Sequence, residues 1–211
     1  MAIEKKLDYI LNAKSKVKII RLFISRRNDF MAPGNDIARS IGLTPPATHT
    51  ALKELHDQGI LKLNVVGKQH IYGLNASSRV VRDILRPAFQ KELSVKEDIK
   101  DFLVGRLKKY KINNTVISVM LYGSIVKGDS REGSDCDIAV IVKDAFSKRH
   151  VEDIFIDKIS SEFSAYFGVS LDAYIKTYAE FLNRLKKKLS PVSTLMKSYS
   201  VIYGKDLTDY K

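Results

Sequence analysis

Two aspartates one residue apart, Asp135 and Asp137, are the residues in this chain best suited to chemistry. They follow an apolar run that ends in a Gly-Ser pair, and they enter a second apolar run. In a strand, residues two apart share a face, so both carboxylates would project together while Cys136 turns into the core. Neighbouring carboxylates repel each other unless a cation lies between them, and Mg²⁺ prefers oxygen ligands. The pair therefore indicates metal-assisted phosphoryl or nucleotidyl transfer.

The turn before the acids has the residue types of a phosphate-binding site. The stretch Val116–Tyr122 is apolar and partly β-branched, which predicts a buried strand. Gly123 lets the backbone approach a ligand closely, because it has no Cβ. Ser124 adds a hydroxyl donor, and Lys127 adds a positive charge. A helix that began here would also point its free N–H groups at the same place.

This arrangement resembles the signature of the DNA polymerase beta-type nucleotidyltransferase superfamily. The motif is Gly-Ser, ten intervening residues, then DCDIAV, and the closest type is the small minimal nucleotidyltransferase domain. The resemblance covers about residues 98–207. It implies that Gly123, Ser124 and Lys127 hold the phosphates of a nucleoside triphosphate, expected to be ATP. It also implies that Asp135 and Asp137 ligate two Mg²⁺ ions.

The same family has a third carboxylate on a later strand, and Asp172 is the candidate. The stretch VSLDAYI, Val169–Ile175, alternates so that Asp172 and Tyr174 share the face opposite its apolar residues. An acid within a strand is costly to bury without a partner. We therefore expect Asp172 to complete a catalytic, metal-binding triad with the two earlier aspartates, and to orient or deprotonate the attacking hydroxyl.

The first part of the chain predicts three helices followed by a β-hairpin. The helices are Ile3 to Arg27, a segment capped by Asn35 that ends at Ile41, and one from Thr44 to Gly59; the strands are Ile60–Val66 and Gln69–Leu74. This order resembles a winged helix-turn-helix, as in many bacterial and archaeal repressors. The resemblance implies double-stranded DNA as a partner, with the third helix in the major groove.

The expected DNA contacts lie on the third helix and on the hairpin. They are Thr48, His49 and Lys53 on the helix, and Lys62, Lys68 and His70 on the hairpin. The formal net charge is +12, of which residues 1–77 carry +6, residues 78–115 carry +5 and residues 116–211 only +1. A basic excess in the first half attracts polyanions and agrees with DNA binding.

The complete prediction is a mixed α+β or α/β chain of two domains. Residues 1–77 form the winged helix-turn-helix, residues 78–97 a helical linker that could dimerise, and residues 98–211 a nucleotidyltransferase domain with a mixed sheet and flanking helices. Within the last, we expect helices at Ala145–Phe167 and Tyr178–Leu189 and a helical or mixed segment at Leu195–Tyr203. The start MAIEKKLDYI lacks the apolar core of a signal peptide, and no apolar run approaches the ~20 residues that span a bilayer. We therefore expect a cytoplasmic protein without membrane contact.

The function predicted from these features is a DNA-binding, Mg²⁺-dependent transferase that joins an NMP to an unknown acceptor hydroxyl. One alternative is a winged-helix transcription regulator whose second domain only senses nucleotide or dimerises. Another is a toxin–antitoxin component, because similar minimal nucleotidyltransferases often accompany a separate helical toxin. The expected partners are therefore DNA, a nucleoside triphosphate, a second copy of the chain and, in the last case, a helical protein.

Overall fold

The computed structural model describes residues 5–128, 131 and 133–207 and divides the chain into two units, Met1–Val95 and Lys96–Lys211. The first is a small helical unit with a three-stranded sheet, and the second contains a four-stranded mixed sheet. This confirms the predicted fold class. None of the helices in the described ranges is long and apolar enough to cross a membrane.

The first unit is a winged helix. Its elements are α1 (Lys6–Ile10), α2 (Lys14–Ile24), β1 (Met31–Pro33), α3 (Gly34–Ile41), α4 (Pro45–Asp57), β2 (Leu61–Val66) and β3 (Gln69–Leu74). The strand order is β1-β3-β2, with both pairs antiparallel. The core contains Ile19, Ile37, Leu52 and Leu55, all with no exposed surface, so α2, α3 and α4 pack around one apolar centre.

Three local predictions in this unit are wrong. The expected single helix from Ile3 to Arg27 is two helices, because the chain is extended at Ala13 and the buried Lys16 Nζ donates to the Tyr9 carbonyl at 2.7 Å. Asn35 does not cap α3, which begins one residue earlier with Pro33 as its N-cap. The stretch between the first two predicted helices, for which no strand was predicted, contains β1, which pairs with β3.

The segment predicted as a linker packs against the first unit's core. A π-helical turn, Val81–Leu85, leads into α5 (Arg86–Leu93). Val81 and Leu85 are buried among the core residues, and Arg21 on α2 forms a two-pronged ion pair with Glu92 on α5, each distance being 2.8 Å.

The second unit is organised by a mixed sheet of order β6-β5-β4-β7. Its elements are α6 (Val95–Lys109), β4 (Val116–Tyr122), α7 (Ser124–Lys127), β5 (Cys136–Val142), α8 (Ala145–Ile154), a π-helical turn (Phe155–Ile159), α9 (Ser160–Phe167), β6 (Leu171–Thr177), α10 (Tyr178–Lys186), α11 (Val192–Leu195) and β7 (Tyr199–Gly204). The β5–β6 pair is parallel, and β4 is antiparallel to both β5 and β7. The helical connection from α8 to α9 is what a parallel pair requires.

Sequence patterning located most of these elements, with two differences. The predicted strand Val169–Ile175 lies two residues later, at Leu171–Thr177, and keeps the predicted alternation of faces. The segment Leu195–Tyr203 ends in β7, an edge strand that pairs with β4. The four-residue helix and the six-residue strand are both too short for the spacing of their apolar residues to distinguish helix from strand.

Glu162 ties α6 to α9 beside the sheet. Its carboxylate accepts from Lys109 Nζ at 2.8 Å and from the Tyr110 hydroxyl at 2.5 Å, and it also forms an ion pair with Arg106. These partners, Lys109 and Tyr110 before the others, lower the pKa of Glu162 to about 2. Two hydrogen bonds and an ion pair therefore converge on one carboxylate and link the two helices.

We predict that Glu162→Gln destabilises the second unit at neutral pH. In the folded chain Glu162 stays ionised down to about pH 2, whereas the unfolded chain binds a proton near the ordinary value of 4.5. Its contribution to stability is therefore complete above pH 4.5 and is lost as the pH falls towards 2. Urea unfolding at pH 7 and pH 3 should show a large difference from wild type at pH 7 and a smaller one at pH 3.

Glu152→Gln is the matched control, because Glu152 forms only one long ion pair, 3.9 Å from Lys148. Its unfolding midpoint should change little at either pH. Equal midpoints for wild type and Glu162→Gln at pH 7 would contradict the assignment.

Candidate functional site

The centre of the candidate site is the close approach of Asp137 to Gly123. Gly123 has φ +77° and ψ −152°, a conformation that L side chains rarely adopt. A Cβ at this position would lie 2.0 Å from Asp137 Oδ2. The carboxylate therefore occupies the space beside the backbone where any other residue would place its side chain.

Asp137 and Asp172 lie side by side on adjacent strands. They are direct partners in the parallel register of β5 and β6, and neighbouring strands are about 4.8 Å apart. They share a sheet face with Tyr122 and Tyr174, because the packing alternates along each strand. The pairing of β5 with β6 therefore brings these two carboxylates together on one sheet face.

Asp135 was expected to lie in the strand, and this prediction is wrong. The strand begins at Cys136, so Asp135 is an exposed residue of the preceding loop. Its negative charge still raises the pKa of Asp137, which places the two carboxylates within electrostatic reach. The difference arises because pairing with β6 starts only at Cys136, opposite Leu171.

The electrostatics of the site reflect burial and concentrated negative charge. Partial burial raises the pKa of Asp137, and the charges of Asp172 and Asp135 raise it further. Burial, and after it the charges of Asp137 and Asp172, raise the pKa of Tyr122 to about 12. Burial raises the pKa of Cys136 to about 12 as well, and its 2 % exposure confirms that it is a core residue.

The Gly-Ser turn continues into a helix of four residues, α7. A helix this short has almost no macrodipole, so any phosphate affinity here comes from individual amide groups, the Ser124 hydroxyl and the exposed Lys127. Lys96 Nζ donates to the Val126 carbonyl at 3.3 Å and so holds the end of this turn against α6.

Among residues 5–128, 131 and 133–207, no group of three His, Cys, Asp or Glu side chains forms a preformed metal cage. The donor set nevertheless suits a hard divalent cation, because Asp137 and Asp172 offer oxygen atoms from one face and no ion pair neutralises them within the described residues.

Two residues of this site were not predicted from the sequence. Tyr122 could have been found, since alternation from Met120 places it on this face, whereas Lys96 left no local signal.

The exposed face of α4 differs from the one predicted for DNA contact. Thr48 is 1 % exposed, and its hydroxyl donates to the Thr44 carbonyl at 3.0 Å, so its assignment to the outer face is wrong. The buried face of α4 is Thr48, Ala51, Leu52 and Leu55, and Ala47 beside it is exposed. His49 and Lys53 are exposed, as the prediction requires.

The hairpin β2–β3 places its three predicted residues at the surface. Lys62, Lys68 and His70 are all exposed. Val65 and Val66 near the tip are also more than 60 % exposed, at 63 % and 62 %. The hairpin therefore presents both cationic and apolar groups to solvent.

Residues 105–198 match the family model described as Polymerase beta, Nucleotidyltransferase. This part of the chain is therefore a nucleotidyltransferase domain of the polymerase beta type, and it includes the Gly-Ser turn and all three aspartates. No curated protein matches the chain at a significant level.

Several solved structures share part of the fold at low identity. The antimony-specific transcriptional repressor AntR is 19% identical, with 45% of this chain and 78% of that chain covered and a TM-score of 0.35. The homodimeric winged helix-turn-helix domain of Mb0332 from Mycobacterium bovis is 14% identical, with coverages of 46% and 81% and a TM-score of 0.34. A toxin–antitoxin crystallised with AMP-PNP is 15% identical, with coverages of 52% and 77% and a TM-score of 0.33.

We predict that Gly123→Ala displaces Asp137 and destabilises the second unit. The new methyl group would collide with the carboxylate and would also force a strained backbone conformation. Gly128→Ala is the control for a positive φ alone, because Gly128 has φ +76° and ψ 21°, in the left-handed helical region, with no atom within 4 Å of its Cβ position. The control should cost about 1 to 2 kcal/mol from strain alone.

Denaturant unfolding of both variants measures this difference. Gly123→Ala should lose clearly more stability than Gly128→Ala. Equal losses would mean that the close approach to Asp137 is unimportant.

Proposed function

We propose that the domain at residues 105–198, of the polymerase beta nucleotidyltransferase type, transfers a nucleoside monophosphate from a nucleoside triphosphate to an acceptor hydroxyl. The observation that carries this proposal is the packing of Asp137 against Gly123, with Asp172 beside it in register. This packing joins the proposed phosphate-binding turn directly to two carboxylates on one sheet face. Two carboxylates with only a structural role would require neither a glycine at position 123 nor positions on the same face of the sheet.

Each residue has a distinct role in the proposed reaction. Asp137 and Asp172 hold the metal ions, and Asp135 approaches from the adjoining loop. The backbone at Gly123, the Ser124 hydroxyl and Lys127 bind the β- and γ-phosphates. Asp172 also orients the acceptor hydroxyl and removes its proton as the oxygen attacks the α-phosphate. Pyrophosphate then leaves on the opposite side.

Two Mg²⁺ ions, when bound, would supply charge stabilisation at the attacking and leaving oxygens. Mg²⁺ in phosphoryl-transfer sites is commonly held by one or two carboxylates together with substrate phosphates. A site with two adjacent carboxylates and a third in the neighbouring loop therefore fits this role without a preformed cage. The adenine nucleotide remains the expected substrate.

We also propose that the winged helix binds double-stranded DNA. The exposed His49 and Lys53 on α4, with Lys62, Lys68 and His70 on the hairpin, are the proposed contacts. The net charge of +6 on residues 1–77 supports a polyanionic partner. In this proposal, residues 1–77 direct the chemistry of residues 98–211 to DNA.

We predict that Asp137→Asn and Asp172→Asn each reduce NMP transfer about a hundredfold or more, because each removes a charged ligand from the reacting centre. Incubation with Mg²⁺, α-labelled nucleoside triphosphates and a cell lysate would reveal the labelled acceptor. EDTA should abolish labelling, and added Mg²⁺ should restore it.

Asp157→Asn is the matched control, because Asp157 is an exposed acid on the π-helical turn between α8 and α9. It should retain wild-type transfer. Full activity in both site variants would contradict the metal assignment. Nucleotide binding that alters DNA affinity without pyrophosphate release would instead support a regulator that senses nucleotide.

We predict that Lys53→Ala and Lys68→Ala each reduce the salt dependence of DNA binding. Each lysine that contacts a phosphate contributes about one unit to the slope of log K against log salt. Titration of a labelled duplex across a salt series measures this slope. Lys143→Ala, an exposed lysine at the end of β5 in the second unit, serves as the control and should leave the slope unchanged. An unchanged slope in the first two variants would remove both residues from the DNA contact.

A further inference from the structure

The outer surface of α8 and the following π-helical turn carries two large apolar side chains that no part of the described chain covers. Phe146 is 86 % exposed and Ile156 is 74 % exposed. Between them lie Arg149 and Asp153, both exposed. At about 100° per residue the three positions on α8 fall within one stripe about 60° wide, and Ile156 extends this face onto the π-helical turn.

The two charged residues of this face are unpaired within the described part of the chain. Arg149 and Asp153 are four residues apart, where an ion pair within one helix is geometrically allowed. No ion pair joins them, whereas the neighbouring Lys148 contacts both Glu152 and Glu180. Their charges are therefore available to an external partner.

The order of these residues is self-complementary. Phe146 lies five residues before Val151 and Ile156 lies five after it, while Arg149 and Asp153 lie two before and two after. Suppose that a second helix packs antiparallel, with a two-fold axis that crosses the helix pair at the level of Val151. Each Phe146 then meets the partner's Ile156. Each Arg149 then meets an Asp153 of opposite charge. A two-fold contact requires this self-complementarity.

We propose that this face, defined by Phe146, Arg149, Asp153 and Ile156, pairs two copies of the chain through antiparallel α8 helices. A depression of about 510 Å³ lined by Ala145, Phe146, Arg149, His150 and Asp153 lies where the second copy's Ile156 would insert. Two apolar contacts then flank two central ion pairs. This self-association is independent of the nucleotide chemistry proposed above.

The proposed interface is small. The stripe from Phe146 to Ile156 is about 15 Å long at 1.5 Å per residue, so the contact involves about three turns of each helix. Interfaces of this size fall in the weak, transient class. Because its central pairs are exposed to solvent, association should weaken as the salt concentration rises.

Charge reversal tests the proposal on the full chain by sedimentation velocity over about 1 to 500 µM, a range that brackets this affinity class. Arg149→Asp places like charges opposite each other in a homodimer, and so does Asp153→Arg. Each variant alone should associate about tenfold more weakly than wild type. An equimolar mixture of the two should associate like wild type, because the heterodimer restores both opposite-charge contacts.

Recovery on mixing separates this contact from damage to the fold and from any dimerisation through the winged helix. An association step that is the same in all four samples belongs to another surface. The proposal is overturned if no step weakens in the single variants, if mixing fails to restore the step that they lose, or if wild type stays monomeric throughout.

Discussion

Asp137 Oδ2 occupies the space that a side chain at Gly123 would require, and the acidic site depends on this contact. The contact holds one carboxylate against the backbone at the end of β4. The parallel pairing of β5 with β6 then places Asp172 beside that carboxylate. Burial, and after it the negative charge gathered in this way, raises the pKa of Asp137, and the same charge makes the site receptive to cations.

The two elements that build this edge were predictable because their local patterns are strong. The bounds of β4, Val116–Tyr122, agree with its apolar, β-branched run, and alternation placed Asp172 on the correct face of β6. Asp135 was misplaced because strand pairing, a long-range property, decides where β5 begins. Thr48 was assigned to the wrong face because Ala and Thr differ too little in polarity to define the phase of α4.

Contacts made by long side chains were beyond sequence reasoning. Lys16 is almost fully buried, and it satisfies a carbonyl at the end of α1 while forming an ion pair with Glu54. Lys96 similarly holds the turn after Gly123. Lysine side chains are usually exposed, so a lysine in the sequence predicts a solvated surface position rather than a buried structural contact. Such contacts help to determine where helices end, and the predicted extent of the first helix was wrong for this reason.

The order of the strands has a consequence for biosynthesis. The three-stranded sheet of the first unit is complete at Leu74 and the last residue of its apolar core is Phe89, so this unit can fold while the remainder of the chain is still being translated. The central strand β4 acquires its second neighbour only when Tyr199–Gly204 has left the ribosome. The nascent chain therefore has a folded first unit well before it has a finished second one, and truncated translation products would retain the first without the second.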